Sequence, residues 1–241
     1  MRRTMWRPTV ITAAVLAAAL TLTGCFGGSR PKTLSSAPTG PPSIYVAIGG
    51  DETVGLGSNA PLRDAWPQLF FRDALPANTV FVNFGTVGAT VADALTDELP
   101  DALAQHPTIA TVWLNLNDLL AGVAPTTYEA QLQSLVHRLR QGGATRVLVA
   151  NALPLDEVSG LFPGRPQAAT AALVAQYNTA VARVAASEGA TVVDIHSLGE
   201  SAGGGQGLAD LVASGGLPTT AGHAAVARAF GDALRSKTLR A

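Results

Sequence analysis

From Ser43 onward, the pattern of apolar and polar positions alternates between two periods. Short, continuous apolar runs rich in β-branched residues predict strands that are buried on both faces. Such runs occur at residues 44–48, 79–84, 109–114, 146–150 and 191–195. Their regular spacing along the chain predicts a single sheet of about five strands.

Between these runs, apolar residues recur at helical spacing, which predicts amphipathic helices. The clearest apolar faces are Leu132, Leu135, Val136 and Leu139; Leu173, Tyr177, Val181 and Val184; and Val226, Phe230 and Leu234. Buried strands that alternate with such helices form a parallel sheet with helices on both faces. The predicted fold is therefore a three-layer α/β/α sandwich with a doubly wound, flavodoxin-like sheet.

A different pattern precedes this alternation. Arg2, Arg3 and Arg7 lead into an apolar run at residues 10–22, which ends in Leu-Thr-Gly before Cys25. This layout is typical of a signal peptide, and a cysteine directly after a small residue resembles the lipobox of bacterial lipoproteins. The resemblance implies cleavage before Cys25 and diacylation of that residue. A transmembrane anchor with an incidental cysteine is the alternative, although the run is short for a span of roughly 20 residues.

The segment after the cysteine is rich in Gly, Ser, Thr and Pro and shows no periodicity, which is typical of a flexible tether. We therefore predict a signal peptide at 1–24, a tether at 25–42 and one folded domain at 43–241. The predicted location is the outer face of the bacterial cell membrane, with the membrane as a partner through lipidated Cys25.

Composition narrows the possible partners. The formal net charge is −1, so there is no excess of basic residues to neutralise nucleic-acid phosphates. A single cysteine excludes an intramolecular disulfide. The glycines at 49, 50, 55 and 57 lack the spacing of a dinucleotide or P-loop fingerprint, and the four histidines lack metal-ligand spacing. We expect no cofactor, no bound metal and a monomer.

Polar stretches follow the predicted strands, and the carboxyl ends of parallel strands are where sites form in such folds. Four stretches stand out: AIGGDETVG at 47–55, VNFGTVGAT at 82–90, NLND at 115–118 and SGGLPTTAGH at 214–223. Their order and spacing resemble the four motif blocks of the SGNH/GDSL hydrolases, a family of esterases, lipases and acyl-transfer enzymes.

The resemblance implies a role for one residue in each of the first three blocks and for two residues in the last block. The family's nucleophilic Ser falls on Asp51, and its catalytic Asp and His fall on Ser214 and Leu217. The oxyanion-hole positions fall on Gly88 and Asn117, which match the family. All three residues of the Ser-His-Asp triad are thus substituted, while both oxyanion-hole residues remain.

These substitutions remove the family's chemistry. A serine hydrolase needs a hydroxyl nucleophile and an imidazole that accepts its proton, and leucine cannot titrate. A carboxylate at Asp51 also places negative charge beside the position where an oxyanion would develop. We therefore predict a binding or accessory protein of the cell envelope without the triad mechanism, with an envelope lipid, glycan or acyl group as its ligand.

Two alternatives stay open at this point. The protein is an active esterase if Asp51 and His223 form a catalytic arrangement that the family does not use. It is an acidic module for divalent metals if Asp51, Glu52 and Asp118 converge on a cation, since carboxylate oxygens suit such ions. Asp194 and His196, near the end of the fifth strand, are predicted to form a structural hydrogen-bonded pair.

Overall fold

The computed structural model describes residues 41–141, 146–198 and 207–238. The predicted signal peptide, Cys25, nearly all of the predicted tether and the glycine-rich stretch at 201–206 lie outside these residues. Five parallel strands form one sheet in the order β2-β1-β3-β4-β5. The strands are β1 Ile44–Gly49, β2 Val80–Asn83, β3 Ile109–Trp113, β4 Arg146–Ala150 and β5 Thr191–Val193. This is the flavodoxin-like order, so the predicted fold class is confirmed.

Helices connect the strands. They are α1 Asp51–Val54, α2 Pro61–Asp64, α3 Trp66–Ala74, α4 Val91–Asp93, α5 Leu99–Ala104, α6 Leu116–Leu120, α7 Pro125–Gln141, α8 Gln167–Glu188, α9 Leu208–Leu211 and α10 Thr220–Thr238. A π-helical segment, Ala94–Glu98, joins α4 to α5, and a 3-10 turn, Leu155–Glu157, follows β4. Helix α3 packs against α10, and α7 packs against α8 and α5, so two helix groups flank the sheet.

The core forms where the apolar pattern predicted it. Strand β3 is buried along its whole length, as is β1 from Tyr45 onward. On the α3 side, the ring of Trp66 stacks on Phe230 with centroids 4.3 Å apart and meets Trp113 edge-on at 6.0 Å. The predicted apolar faces of α7, α8 and α10 point inward, with only Leu173 and Leu234 partly buried.

Strand β5 ends two residues before the predicted boundary, and side-chain hydrogen bonds explain why. The N–H groups of Ile195 and His196 donate to Asn151 Oδ1 at 2.8 and 3.0 Å instead of to a neighbouring strand. Asp194 Oδ1 accepts from Asn151 Nδ2 at 2.8 Å and from the His196 backbone N–H at 3.1 Å. Asp194 and His196 therefore share a structural hydrogen bond, but through the backbone of His196, whose ring contacts Ala152 O.

Within the described ranges, no helix is both long enough and apolar enough to cross a membrane.

Candidate functional site

The site is built on the turn between β1 and α1. Gly50 caps α1, and its carbonyl accepts the N–H groups of Thr53 and Val54. A Cβ atom at Gly50 would lie 2.7 Å from Asn117 Nδ2 and 3.2 Å from Ala89 O. A side chain there would displace Asn117, so the close approach of three loops requires glycine at this position. As a result, the turn presents the side chain of Asp51 at the carboxyl edge of the sheet.

The carboxylate of Asp51 is hydrogen-bonded to one of the two groups that were predicted to donate to an oxyanion. Its Oδ1 accepts the backbone N–H of Gly88 at 2.7 Å, a short, charge-assisted hydrogen bond. Gly88 has φ of +78°, a left-handed conformation that suits glycine. The structure therefore brings Asp51 and Gly88 together, and the backbone N–H of Gly88 is bonded to a protein carboxylate.

The second predicted donor, Asn117, also bonds within the protein. Its Nδ2 donates to Ala89 O at 3.2 Å, which ties the start of α6 to the loop that holds Gly88. Asn117 thus lies beside Gly50 and near Gly88, as expected for an oxyanion hole. One N–H of its amide is used to hold the loop in place.

Two acids beside Asp51 are buried. Glu52 is 2% exposed, and burial raises its pKa to about 8, with the charges of Asp51 and Asp118 contributing. Burial also raises the pKa of Asp118 to about 6, against the stabilising N–H of Val91, which donates to its carboxylate at 3.1 Å. Burial therefore favours the protonated form of Glu52.

A third buried acid, Glu98, was missed by sequence reasoning. Its Oε2 accepts the N–H of Gly49 at 2.9 Å and so supports the end of β1 directly beneath the site. Burial raises its pKa to about 8. The signal was present in the sequence, because Glu98 lies four residues from both Ala94 and Ala102 on an apolar helical stripe that is fully buried.

The acidic residues do not converge as a metal-binding module would require. Across the ranges that the structure describes, no group of three or more His, Cys, Asp or Glu side chains is arranged to hold a metal ion. Asp118 instead turns toward the start of α4, where it accepts the N–H of Val91. The hypothesis of a divalent-metal site at Asp51, Glu52 and Asp118 therefore gains no support from the geometry.

His223 is fully buried and both of its ring nitrogens are engaged. Nδ1 accepts the backbone N–H of Trp66 at 3.2 Å, so Nε2 carries the proton and donates to Leu56 O at 3.1 Å. Burial lowers the pKa of His223 below its ordinary value. Because no ring lone pair is left to take a proton, the alternative of an Asp51–His223 esterase has no general base.

The last motif block begins in a turn between Val212 and Pro218, which form an isolated antiparallel bridge, and it ends in the first turn of α10. Ser214 is exposed at this turn, whereas Leu217 is partly buried against the core. A Cβ at Gly57, in the loop after α1, would lie 3.3 Å from Leu217 Cβ. The fold therefore brings the last block back to the nucleophile turn, as the family's arrangement requires, but with no imidazole at Leu217.

These features define a class: an SGNH-type α/β/α hydrolase fold, in which the turn after β1 and the loops after β2 and β3 converge at the carboxyl edge of the sheet. The model of the GDSL-like lipase/acylhydrolase family matches residues 44–225, and the chain belongs to that family. No functionally curated protein matches it.

Solved structures with the same fold are similar at low sequence identity. LAE5, an α/β hydrolase from the metagenome of Lake Arreo, is 22% identical with a TM-score of 0.65, covering 79% of this chain and 94% of its own. TesA is 24% identical with a TM-score of 0.63 (80% and 99% covered). A lipase/acylhydrolase from Enterococcus faecalis is 19% identical with a TM-score of 0.64 (81% and 96% covered).

Proposed function

We propose that this protein is a lipid-anchored, extracytoplasmic member of the GDSL-like family that does not hydrolyse esters through a Ser-His-Asp triad and serves a binding or accessory role in the cell envelope. The observation that carries the proposal is the hydrogen bond from Gly88 N–H to the Asp51 carboxylate. A protein anion occupies the donor that would otherwise stabilise a developing oxyanion.

The electrostatics of this contact oppose acyl transfer. An oxyanion hole works because preorganised donors face the negative charge that develops in the transition state. At this site a second negative charge would develop beside Asp51, and Gly88 N–H would have to leave an existing charge-assisted bond. The missing imidazole adds to this barrier, since Leu217 cannot move a proton and His223 has both nitrogens engaged.

The surroundings of Gly88 favour ligands that donate hydrogen bonds. A cavity of about 130 Å³ adjoins Gly88 and is lined by residues 86–89 together with Asp93, Asp97 and Glu98. No basic side chain lines it. Hydroxyl-rich glycans fit this chemistry better than anionic lipid head groups, so among the envelope ligands considered we favour a glycan.

The proposed location rests on the N-terminal sequence. Residues 1–24 have the layout of a signal peptide, and Cys25 stands at the position that bacterial lipoproteins acylate. The mass of the mature N-terminal peptide tests this part, because a diacylated Cys25 increases its mass and a Cys25→Ser substitution abolishes the increase.

Hydrolysis of a short-chain p-nitrophenyl ester tests the loss of catalysis. We expect the wild type and Asp51→Ala to show the same rate as buffer. Turnover in the wild type that Asp51→Ala abolishes would contradict the proposal. Asp156→Ala, which removes a carboxylate from the loop after β4, controls for a general change of charge.

Thermal-shift titration with envelope glycan fragments tests the binding role, with Asp51→Asn as the matched variant. We expect the wild type to gain stability with ligand and Asp51→Asn to gain less.

A further inference from the structure

Charged residues are segregated along the strand axis of this domain. The carboxyl edge of the sheet, where the candidate site lies, is acidic. The loops and helix starts at this edge carry Asp51, Asp93, Asp118, Asp156, Glu157, Asp194 and Asp210, against Arg63 and Arg165. Of these two arginines, Arg63 is paired with Asp64. We call this end the acidic edge.

The opposite end of the domain, where the strands begin and the long helices end, is basic. We call it the basic edge. Its arginines are Arg72, Arg138, Arg140, Arg146, Arg228 and Arg235, against the acids Asp73, Asp101, Glu188 and Asp232. Arg72 is paired with Asp73, and Arg235 with Asp232. The basic edge therefore carries six arginines against four acids, and the acidic edge carries seven acids against two arginines. The whole predicted domain, residues 43–241, has 11 basic and 17 acidic residues, so the basic edge differs in sign from the rest of the domain.

Two neighbouring cavities open at the basic edge. One, of about 420 Å³, is lined by apolar residues that include Leu75, Pro76 and Leu234, with Arg146 and Arg235 at its margin. The other, of about 320 Å³, lies between α3 and α10 over Leu69 and Phe70, and its charged lining residues are Arg72, Asp73, Arg228 and Arg235. Arg235 lines both cavities. Arginines around apolar hollows are suited to anionic lipid head groups, whose phosphates the guanidinium binds.

The tether enters the domain at this same edge. Ser43, which directly precedes β1, itself lines the larger cavity. Residues 26–42 separate it from Cys25 in the sequence. Strand β1 then runs for roughly 20 Å from the basic edge to the Gly50–Asp51 turn. Strand β1 therefore starts at the basic edge and leads to the site at the other end of the sheet.

We propose that the basic edge docks on the anionic phospholipid surface of the membrane that holds Cys25, so that the acidic edge and its candidate site face away from the bilayer. This inference rests on the lipid anchor proposed above. The anchor keeps the domain at a high effective concentration over the surface, and the asymmetric charge selects its orientation.

Electrostatics decides the orientation because each arginine near an anionic bilayer contributes about a fivefold preference, and the acidic edge is repelled by the same surface. The attraction falls off within a Debye length of about 8 Å at physiological salt, so only a docked edge benefits from it. In this orientation the ligand reaches the site from the wall side of the envelope and not from the lipid of the anchoring bilayer.

The test uses the full lipidated protein reconstituted in vesicles of phosphatidylcholine alone or mixed with phosphatidylglycerol. A thiol-reactive fluorophore is attached at Ser236→Cys, in the last turns of α10 at the basic edge, or at Leu62→Cys in α2 at the acidic edge. Both positions are exposed, Leu62 to 92%. Head-group quenchers in the bilayer report which label lies at the surface. The native Cys25 does not react once its sulfur is acylated.

We expect quenching at position 236 in vesicles that contain phosphatidylglycerol, little at position 62, and loss of the difference in pure phosphatidylcholine or at high salt. Arg228→Gln should lower the ratio of docked to undocked protein about fivefold, whereas Arg165→Gln at the acidic edge should leave it unchanged.

Equal quenching at both positions, stronger quenching at position 62, or no dependence on anionic lipid would overturn the inference while leaving the anchor intact. A mature N-terminal peptide without the mass of a diacylglycerol would overturn the anchor proposal and this inference together.

Discussion

The buried carboxyl group of Glu52 makes the stability of this protein depend on pH in a direction opposite to that of most proteins with paired carboxylates. Glu52 is 2% exposed, and its pKa in the folded protein is about 8, against an ordinary value of 4.5. Folding therefore favours the protonated form. The stability that protonated Glu52 contributes is fully present below pH 4.5, and it is lost as the pH rises through 8.

The size of the effect follows from the separation of the two pKa values. Each unit of difference corresponds to about 1.4 kcal/mol, so ionisation of Glu52 in the folded state can cost up to about 5 kcal/mol, and we expect a few kcal/mol after local relaxation. Glu98, also 2% exposed with a pKa of about 8, acts in the same direction. The wild type should therefore lose stability between pH 5 and pH 8.5.

The assay is urea denaturation at these two pH values for the wild type and for Glu52→Gln, which resembles the protonated acid in shape. We expect the variant to match the wild type closely at pH 5 and to be more stable than it at pH 8.5, with about half of the pH dependence removed. Glu157→Gln, at an exposed glutamate, should change neither value. A wild type whose stability is flat or rises over this range, or a Glu52→Gln variant that is equally destabilised at both values, would refute the reasoning.

Three further predictions concern side chains that hold the site together. His223→Ala should cost about 3 to 5 kcal/mol in urea denaturation, because it leaves a cavity and removes the hydrogen-bond partners of Trp66 N–H and Leu56 O; a cost below 1 kcal/mol would contradict the structural role. Asn151→Ala should cost about 1 to 3 kcal/mol by the same measurement, since it leaves the N–H of Ile195 unpaired. Asp51→Ser should remain inactive on p-nitrophenyl esters, because the new hydroxyl has no imidazole base; turnover would show that another group serves as the base.

The local patterns of the sequence were sufficient for the framework. Strands β1 and β3 are buried along almost their whole length because helices cover both faces of the sheet, so a largely apolar run predicts them directly. The helical faces of α7 and α10 were predicted for the same reason, since the period of 3.6 residues is a property of neighbouring positions. The order of the motif blocks then indicated which strand ends meet.

Single side chains that bond across the fold were harder to predict. Glu98 and Gly49 are 49 positions apart, and His223 and Trp66 are 157 apart. A local periodicity in the sequence cannot predict such contacts, because they depend on how the helices pack on the folded sheet. The sequence therefore left His223 as a possible catalytic residue, whereas its buried position and two hydrogen bonds favour a structural role.

The sequence by itself determined which residue types stand in the four motif blocks, and the family resemblance predicts that the triad positions fall on Asp51, Ser214 and Leu217. Residue types alone decide whether a side chain can attack or titrate. Only the tertiary structure decided what Asp51 does. Its carboxylate reaches Gly88 N–H from a different loop, at 2.7 Å, and the absence of a side chain at Gly50 leaves room for Asn117 beside it. The geometry of three converging loops is set by the packing of the sheet and its helices, which no single stretch of the chain encodes.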